Sequence, residues 1–528
     1  MLKLGKTHDP RKNAELLAHI TKNKVAIRDA VQETERLFQE CLLNEPVPVP
    51  RTTKNTESSL PFSQKIGKVL FRPLSQPAAI KQPAKVKIEA DGSIYPEWLE
   101  KLNHEYTALE KMITKEVNVA DFGAVGDGKT DCTAAFKKAI GSGRVKVIVP
   151  EGVYITKGIR MPSWTWLAGS GKAITTIKLD NSADKGTRLI TNAHHWQGNH
   201  HIFVENLSLD WNVERLGNTA KTSTWGNHSS CLTYANVTYG WVKDVAAMNP
   251  GNHCFDVSST LYNYGGDGRR ARGGSKYIWI DGVTGYGFGD DGITTHHSEY
   301  IFISNSHMSD PSGRAHRQGF SNSNGIEIDD GSQDIVLVNN STARCFGGIE
   351  IKAHPNSSAA SNVQIIGHLS VNDNRSFNFR HIGHHKHEDP ESMTAYHILA
   401  TNLASIGPIF THLYKDSTPR GLVVSAYKNV VINQLTAIGD PETDYSSNPV
   451  AAIQYQARNI ILNQLSFKNF PTAGAAIKIF GGKNRADSVK IHHVSVSDKT
   501  LDAVQSGADI VDLTINRITE APTLQPSK

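Results

Sequence analysis

Apolar and polar positions alternate in short runs from Val117 almost to the C-terminus, and this alternation predicts β-strands separated by polar turns. One phrase recurs: an apolar run, a polar turn that often contains Asn, and a second short apolar run. Its copies begin at residues 202, 240, 278, 301, 335, 363, 430, 460 and 489, with one more around Ala400. Strand repeats spaced by roughly 20–40 residues are typical of a β-solenoid. The pattern predicts an all-β parallel β-helix rather than a propeller, whose blades need four strands each, or a β-sandwich.

A second series of strands runs in phase with the first, and each member places one polar residue between two apolar residues. Its members are 255–257, 293–295, 326–328, 349–351, 377–379, 453–455 and 477–479. Side chains alternate across a strand, so we expect the apolar flanks to point inward and the middle residue to point outward. Stacked coils lie about 4.8 Å apart, so the outward residues are expected to form a ladder along one face of the solenoid.

The part of the chain before the solenoid has a different pattern. Residues 1–42 carry apolar side chains at a helical period and predict an amphipathic N-terminal arm. Pro, Ser, Thr and Lys are frequent from residue 43, which indicates a linker, and a shorter helical stretch follows at about 96–115. The predicted division is a helical arm over 1–42, a linker with a short helix over 43–116, the β-helix over 117–520 and a tail over 521–528.

The charges and cysteines narrow the function classes. Lys and Arg number 56 against 51 Asp and Glu, a net charge of +5, and the concentrated basic stripe of a nucleic-acid binder is not visible. The 5 cysteines are widely scattered, so neither a disulfide framework nor a zinc site is indicated. No apolar run reaches about 18 residues, and the N-terminus has no signal-peptide pattern. We therefore expect a soluble protein with no nucleic-acid or membrane partner.

The predicted ladder carries an unusual concentration of charge. Its residues, with those flanking it, are Asp256, Glu327, Glu350, His296, Asp329, Lys352 and Arg380, and the pair Asp290 and Asp291. Like charges stacked at strand spacing destabilise a sheet, so a structural role alone explains them poorly. Crowded carboxylates also raise one another's pKa, as a general acid working near neutral pH requires. The candidate catalytic residues are Glu327, Glu350, Asp291, Asp256 and Asp290.

Two carboxylates on either side of a glycosidic bond are the usual machinery of hydrolysis. Glu327 and Glu350 belong to neighbouring coils, which predicts a separation of roughly 5 Å, near the retaining value. Asp256 or Asp291 paired with a glutamate reaches the roughly 6.5–9.5 Å of inverting enzymes, so the stereochemistry stays open. Candidate substrate-binding residues, which would hold anionic or hydroxyl groups, are Lys352, Arg380, His296, Asp329 and Arg314.

Metal binding is an alternative for some of the same side chains. The hard oxygen ligands of Asp290, Asp291, Asp329 and Asp330 suit Ca²⁺, and a solvated acidic ladder is a further alternative. We expect no cofactor and keep Ca²⁺ as the alternative. The histidine-rich loop from His381 to His387 matches no zinc signature, so hydrogen bonding to sugar hydroxyls is favoured there over metal binding.

The start of the predicted solenoid carries a family resemblance. The segment 117–140, which contains Asp-Phe-Gly-Ala-Val-Gly-Asp-Gly, resembles the opening of the single-stranded right-handed β-helices of the pectate-lyase superfamily. In that family the glycines and aspartates form a tight loop, and residues matching 134–140 form a helix that caps the solenoid. The next segment, 145–154, is similar to the family's first full strand and turn. The resemblance implies a right-handed parallel β-helix.

Two further resemblances concern activity and context. Asp290-Asp291 and the later Ile-Glu-Ile-Lys at 349–352 resemble polygalacturonase-type hydrolases, which carry a double aspartate and an Arg-Ile-Lys strand. Glu350 departs from that pattern and the family's Gly-His-Gly motif is missing, so roles transfer only to Asp290, Asp291 and Lys352. The helical arm, the linker and the phrase at 91–98 resemble tail-spike and neck-appendage proteins of phages of Gram-positive bacteria.

These resemblances imply a virion-associated homotrimer, attached through its N-terminal arm to a phage tail or baseplate protein. The expected function is hydrolysis of a bacterial surface polysaccharide such as capsule, exopolysaccharide or teichoic acid, carried out at the host cell surface. A polysaccharide lyase or uronate epimerase on the same fold is the first alternative. A receptor-binding spike that adsorbs without cutting is the second.

Overall fold

The computed structural model describes residues 2–22, 25–43, 82–224, 228–261, 272–354, 357–381, 394–499 and 501–520. Its α-helices are α1 (Asn13–Thr21), α2 (Ile27–Leu43), α3 (Leu99–Met112) and α4 (Thr133–Ile140). Short 3-10 helices lie at Pro10–Lys12, Val119–Phe122, Val213–Leu216 and Gly482–Asn484. Among the helices in these ranges, none has the length and apolar character needed to cross a bilayer.

Strands make up most of the rest. The first half contains β1 (Val86–Ile88), β2 (Ile94–Pro96), β3 (Lys115–Asn118), β4 (Asp127–Asp131), β5 (Val145–Val149), β6 (Gly152–Thr156), β7 (Ile159–Met161), β8 (Thr165–Gly169), β9 (Thr175–Leu179), β10 (Ile190–Asn192), β11 (Asn199–Asp210), β12 (Leu232–Ala235), β13 (Val237–Met248), β14 (Phe255–Leu261), β15 (Arg272–Gly274), β16 (Lys276–Asp281) and β17 (Thr284–Tyr286). The second half contains β18 (Ile293–Thr295), β19 (Glu299–Ser304), β20 (His307–Ser309), β21 (Asn324–Ile328), β22 (Gln333–Ala343), β23 (Gly347–Ala353), β24 (Ser361–Val371), β25 (Arg375–His381), β26 (Tyr396–Ile406), β27 (Arg420–Ser425), β28 (Lys428–Ile438), β29 (Ala451–Gln454), β30 (Arg458–Lys468), β31 (Ala475–Ile479), β32 (Asp487–Val496), β33 (Asp502–Ser506) and β34 (Leu513–Glu520).

One face of the molecule is a long parallel sheet, here called sheet A. Its parallel strands are, in order, β7, β10, β12, β14, β18, β21, β23, β25, β27, β29, β31 and β33. The register aligns Phe255, Ile293, Ile326, Ile349 and Phe377, so each coil repeats the same inward position. This confirms the predicted right-handed parallel β-helix and the predicted second strand series.

The other parallel strands form two faces that meet at a corner. The first half of β11 pairs with β8 and its second half pairs with β9, so one strand turns from one face to the next. The turning residue has left-handed backbone geometry, with φ of +54° at Asn206, +46° at Asn305, +52° at Asn339 and +56° at Asn402. Asn adopts this region at low cost among non-glycine residues. The polar turn of the repeated phrase is therefore this corner.

The interior is a stack of apolar side chains, and α4 covers its N-terminal end. Phe136, Ala139 and Ile140 of α4 are buried in the main core cluster. The predicted helix over 134–140 is therefore confirmed, beginning one residue earlier at Thr133.

The N-terminal helices lie on the outside of the solenoid. The predicted helical stretch over 1–42 consists of two helices, α1 and α2, and α1 ends at Lys22, which has φ of +50°. Leu17 of α1 packs against Leu369 and Ala404, while Phe38 of α2 packs in a cluster with Val431. The predicted helix near 96–115 is α3, preceded by the antiparallel pair β1 and β2. Most of the predicted linker, 44–81, and the tail over 521–528 lie outside the described residues.

Candidate functional site

A pocket of about 160 Å³ opens on sheet A, where β14, β18, β21 and β23 lie side by side. Its lining is almost entirely charged or polar: His253, Asp290, Asp291, His296, His316, Asn322, Glu327, Asp329, Lys352 and His354. These residues come from the turns before β14 and β18, from the position after β18, from β21 and β23 and the positions after them, and from the segment between β20 and β21.

The alternation of side chains along a strand determines which pocket residues on strands point outward. Ile326 and Ile328 on β21 point into the core, so Glu327 between them points outward, and Thr294 and Glu350 are its register partners. The predicted outward row is therefore confirmed. Its members are nevertheless buried, with Glu327 only 2% exposed.

Lys352 links the two carboxylates on β21 and just after it. Its Nζ lies 2.9 Å from Glu327 Oε2 and 3.6 Å from Asp329 Oδ2. Burial favours the neutral amine, but the charges of Asp329 and Glu327 outweigh it and raise the pKa of Lys352 well above its ordinary value. Lys352 is therefore an ammonium ion at neutral pH.

Asp290 and Asp291 are neighbours in sequence with opposite electrostatics. Burial, with the charges of Asp290 and Glu327, raises the pKa of Asp291 well above the usual Asp range. Burial also opposes ionisation of Asp290, but His316 and His253 outweigh it and hold the pKa of Asp290 well below that range. His316 Nε2 lies 2.7 Å from Asp290 Oδ1, and His253 Nε2 lies 3.6 Å from an oxygen of each aspartate. Asp290 therefore gives up its proton more readily than its neighbour Asp291.

Glu327 and Asp329 repeat this contrast. Burial raises the pKa of Glu327 despite the opposing charge of Lys352. Burial is outweighed at Asp329, where Lys352, His354 and His296 hold the pKa well below its usual range. The Asn324 amide donates to Glu327 Oε2 at 2.7 Å, and the Asn324 backbone N–H donates to Asp291 Oδ1 at 2.9 Å. These hydrogen bonds fix the direction of both carboxyl groups.

His354 lies at the exposed edge of the pocket. Its Nδ1 is 2.9 Å from Asp330 Oδ2, and its backbone N–H donates to Asp330 Oδ1 at 2.8 Å. Burial lowers its pKa, but Asp329 and Asp330 outweigh burial and raise the pKa of His354 to about 9.

Three groups within the described residues bring possible metal ligands within 4.8 Å of one another. They are His253 with Asp290 and Asp291, His296 with Glu327 and Asp329, and Asp329 with Asp330 and His354. Each offers an imidazole and two carboxylates, which is too few oxygen ligands for the 6–8 that Ca²⁺ prefers. The Lys352 ammonium already lies between Glu327 and Asp329. The donor set therefore fits Ca²⁺ poorly.

Six of the residues predicted from the sequence meet in this pocket: Asp290, Asp291, Glu327, Asp329, Lys352 and His296. Glu350 is in register with Glu327, but its carboxylate is held by the Arg380 guanidinium and accepts a 2.8 Å hydrogen bond from the Asn378 amide. Glu350 and Arg380 are thus paired with each other outside the lining. Glu327 and Glu350 have the predicted neighbouring-coil register, and each also forms a salt bridge, Glu327 to Lys352 and Glu350 to Arg380.

The remaining predicted residues lie elsewhere on the same side of the molecule. Asp256 is fully buried on β14 and is not in the pocket lining. Arg314 donates to the Gly217 carbonyl and lies 3.8 Å from Glu214, again outside the lining.

Sequence reasoning missed His253, His316, Asn322 and His354. His253 could have been predicted from the sequence, since it precedes Phe255 by the same two residues that separate Asp291 from Ile293. His316 and Asn322 carry no such signal because they lie in a segment without periodicity. Of the loop from His381 to His387, residues 382–387 fall outside the described residues.

The chain is similar to known proteins in both sequence and structure. Residues 116–350 match the family described as rhamnogalacturonase A/epimerase, pectate lyase-like. The chain is 46% identical over 473 residues to a putative phage-related protein, YobO, of Bacillus subtilis, covering 89% of this chain and 58% of that protein. It is 42% identical over 406 residues to the pre-neck appendage protein of Bacillus phage phi29, covering 76% of this chain and 46% of that protein.

A solved structure is also similar to the chain. The N-terminal fragment of bacteriophage phi29 gene product 12 superimposes with a TM-score of 0.71 at 38% identity, covering 80% of this chain and 69% of that fragment. The chain spans about half the length of the curated relatives it matches.

Proposed function

The chain belongs to the family of phage pre-neck appendage proteins built on a pectate-lyase-like β-helix, and from this premise we propose that it hydrolyses a polysaccharide of the bacterial surface. One observation carries the proposal. Asp290 and Asp291 are adjacent carboxyl groups whose surroundings push their pKa values in opposite directions. Such a divided pair supplies a general base and a general acid at one pH.

In the proposed reaction Asp291 is the proton donor and Asp290 the base. Asp291 protonates the oxygen of the departing sugar, and the glycosidic carbon–oxygen bond breaks. Asp290 accepts a proton from the attacking water, whose oxygen bonds to the glycosidic carbon. Asp290 has the more open side chain, 22% exposed against 3% for Asp291, which suits contact with water.

Lys352, Glu327 and Asp329 form the proposed floor of the substrate site. The buried Lys352 ammonium lies between Glu327 and Asp329, and its charge favours the ionised form of Asp329 without a mobile counterion. The imidazoles of His316 and His354, with side chains 31% and 40% exposed, are placed to donate hydrogen bonds to sugar hydroxyls or an acidic substituent.

The same charges weigh against a lyase or epimerase in which Lys352 removes the sugar proton. A catalytic base has to be unprotonated at working pH, and the neighbouring carboxylates raise the pKa of Lys352. An adsorbing spike that cuts nothing is the remaining alternative.

We also propose that the chain acts in the virion at the host cell surface, as a homotrimer attached to a tail or baseplate protein through its N-terminal residues. The proposal draws on the relatives named as pre-neck appendage proteins. Sedimentation of the purified chain tests the trimer, and a mass of one chain would contradict it.

Cleavage is tested by mass spectrometry of material released when the purified chain meets extracted surface polymer in ¹⁸O-labelled water. We expect fragments that have gained one labelled water per cut, and their loss in Asp291→Asn. Unsaturated fragments without added water would establish a lyase instead. Binding without fragments would leave the adsorbing spike, and the hydrolase would be rejected.

A further inference from the structure

The side chain of His316 reaches the pocket from a connection outside the strands. This connection, residues 310–323 between β20 and β21, is called the pocket loop. His316 lies between two glycines with left-handed backbone geometry, Gly313 with φ of +68° and Gly319 with φ of +78°. Its backbone N–H donates to the Gly313 carbonyl at 3.2 Å, a contact within the loop itself. The position of His316 beside Asp290 therefore depends on what holds the pocket loop from outside.

The first part of the pocket loop is attached to neighbouring turns. The Ala315 backbone N–H donates to the Gly289 carbonyl at 3.1 Å. The Thr222 backbone N–H, from the connection between β11 and β12, donates to the Arg314 carbonyl at 2.9 Å. These contacts fix the loop on one side of His316.

The other side of the pocket loop is held by a segment three coils further along the solenoid. This segment, residues 407–419 between β26 and β27, is called the supporting loop. The Ser321 backbone N–H donates to the Leu413 carbonyl at 2.9 Å, and the Lys415 backbone N–H donates to the Gly319 carbonyl at 2.9 Å. The two loops therefore share a short antiparallel bridge.

Aromatic rings pack at the centre of this bridge. Phe320 and Tyr414 are opposite each other in it, and their ring centroids lie 6.2 Å apart in an edge-to-face arrangement. The Tyr414 ring also lies 5.1 Å from the ring of Phe346, which precedes β23. Such ring pairs stabilise a contact beyond the area they bury. Tyr414 thus joins the pocket loop to the turn before β23.

The supporting loop is itself fixed at both ends. The buried Tyr445 hydroxyl donates to the Pro408 carbonyl at 3.1 Å. The Asn374 amide donates to the carbonyls of Ile409 and Ser417, at 2.9 and 3.0 Å. These bonds do not involve the pocket loop, so the supporting loop has its own attachment to the solenoid and can hold the pocket loop in place.

A chain of hydroxyl groups continues from the bridge to the carboxylates of the pocket. The buried hydroxyl groups of Ser321 and Ser323 lie 2.7 Å apart, and the Ser323 hydroxyl donates to the Gly289 carbonyl at 3.3 Å. Gly289 precedes Asp290, whose Oδ1 lies 2.7 Å from His316 Nε2. The bridge is thus connected to both members of the His316–Asp290 pair.

We propose that Tyr414 is a positioning residue, which holds the pocket loop in place and thereby keeps the His316 imidazole against Asp290. It acts through the bridge between the two loops and needs no contact with a substrate. The consequence for catalysis rests on the proposed function, since His316 stabilises the ionised form of Asp290, the proposed base. The placement of His316 does not rest on that function.

The test is an NMR titration of the full chain labelled with ¹³C-histidine, in which His316→Gln identifies the signal of His316. The charge of Asp290 raises the pKa of His316 above its ordinary value of 6.5. In Tyr414→Ala this pKa is expected to shift toward 6.5, because the imidazole is no longer held beside Asp290. The pKa of His354, about 9, should stay unchanged. Tyr414→Phe keeps the ring and is expected to keep the pKa of His316.

Phe410→Ala is the matched control, because this ring belongs to the supporting loop and is 50% exposed. It should leave the titration of His316 unchanged. Phe320→Ala removes the same ring contact from the side of the pocket loop, and it is expected to move the pKa of His316 in the same direction as Tyr414→Ala. It replaces Tyr414→Ala if thermal unfolding shows that variant to be unfolded.

Amide hydrogen exchange shows whether the bridge has opened, since exchange at Ser321 and Lys415 should become faster in Tyr414→Ala. An unchanged pKa of His316 would overturn the positioning role, whether or not exchange becomes faster. An equal shift in Phe410→Ala, or a simultaneous shift of His354, would indicate general loosening and reject it as well. The titration needs no substrate, so a chain that cuts nothing rejects the hydrolase while the positioning of His316 stands.

Discussion

At Asp290 and Asp291, the surroundings shift the pKa values of two adjacent carboxyl groups in opposite directions. Burial and the charge of Asp290 are the largest causes that raise the pKa of Asp291, and Glu327 adds to them, whereas His316 and His253 outweigh burial and lower the pKa of Asp290. The proposed acid and base roles therefore depend both on the adjacent pair and on the side chains packed around it.

Replacing Asp291 tests this assignment. Asp291→Asn is expected to lower kcat by about 10²–10⁴-fold, the usual contribution of a positioned proton donor. In the unchanged chain, activity should fall on the alkaline side as the pH rises through the raised pKa of Asp291. Asp121→Asn, at an exposed aspartate remote from the pocket, is the control and should keep full activity. An unchanged alkaline limb in a partly active Asp291→Asn protein would contradict the role.

His354 gives a prediction that does not need a substrate. Its pKa should be about 9 by NMR, and Asp330→Asn should bring it toward the ordinary value near 6.5. The folded-state pKa is raised, so its contribution to stability is complete below about pH 6.5 and is lost as the pH rises through about 9. A titration of His354 near pH 6.5 in the unchanged chain would be inconsistent with the ion pair.

The sequence predicted six of the pocket residues, two of them on strands and four in the turns beside strands, and missed four others that lie outside strands. Glu327 and Lys352 follow from a period of two and a regular coil, which together fix both their direction and their neighbours. His316 reaches Asp290 from a segment whose course depends on tertiary packing. Glu350 shows another limit of prediction from the sequence. Its register was predicted correctly, but the salt bridge between its carboxylate and the Arg380 guanidinium was not predicted.

At the scale of the element, the corner between the two outer faces requires left-handed backbone geometry at one residue of each turn. Asn402 has φ of +56° in the middle of β26, and β-branched residues are strained there. Asn402→Val is expected to destabilise the protein by about 1–2 kcal/mol, whereas Asn402→Gly should be nearly neutral. Denaturant unfolding of both variants measures the difference, and equal losses would argue against backbone strain as the cause.

Elements also differ in how far the sequence predicted them. The corner was visible because Asn recurs at one point of the repeated phrase. The docking of α1 and α2 was not, because an amphipathic period shows that a helix has an apolar face without showing what covers it. Here the covering surface is the outside of the solenoid, where the Asn433 amide donates to the Ala30 carbonyl at 3.0 Å.

For the whole molecule, buried neutral histidines predict sensitivity to acid. Burial is the main cause that lowers the pKa of His297 to about 4 and of His307 and His368 to about 3. The unfolded chain binds protons at these residues below about pH 6.5 and the folded chain does not. The free energy of unfolding should therefore fall as the pH drops, by roughly 2 kcal/mol for each group at pH 5.

Thermal unfolding between pH 7 and pH 5 measures this loss. His368→Gln should lower stability at pH 7 but reduce the loss on acidification, while His19→Gln, on the exposed side of α1, should leave both unchanged. An identical pH dependence in His368→Gln would contradict the attribution to His368.

The fold class was predictable because each coil repeats the same phrase, so local pattern and global architecture agree from β5 to β34. The family resemblance was visible for another reason, the glycine- and aspartate-containing segment 117–140 that opens the solenoid. Activity is carried by few side chains in a fold that serves many chemistries, so it stays a proposal.

The two N-terminal helices have a mechanical consequence. A solenoid pulled along its axis separates coil from coil, and each junction is held by its own row of interstrand hydrogen bonds. Since α1 and α2 together pack on five successive coils, those of β22, β24, β26, β28 and β30, part of the tension there passes through the helices. The two helices therefore reinforce these five coils, and we expect coils without such a contact to separate under a smaller force.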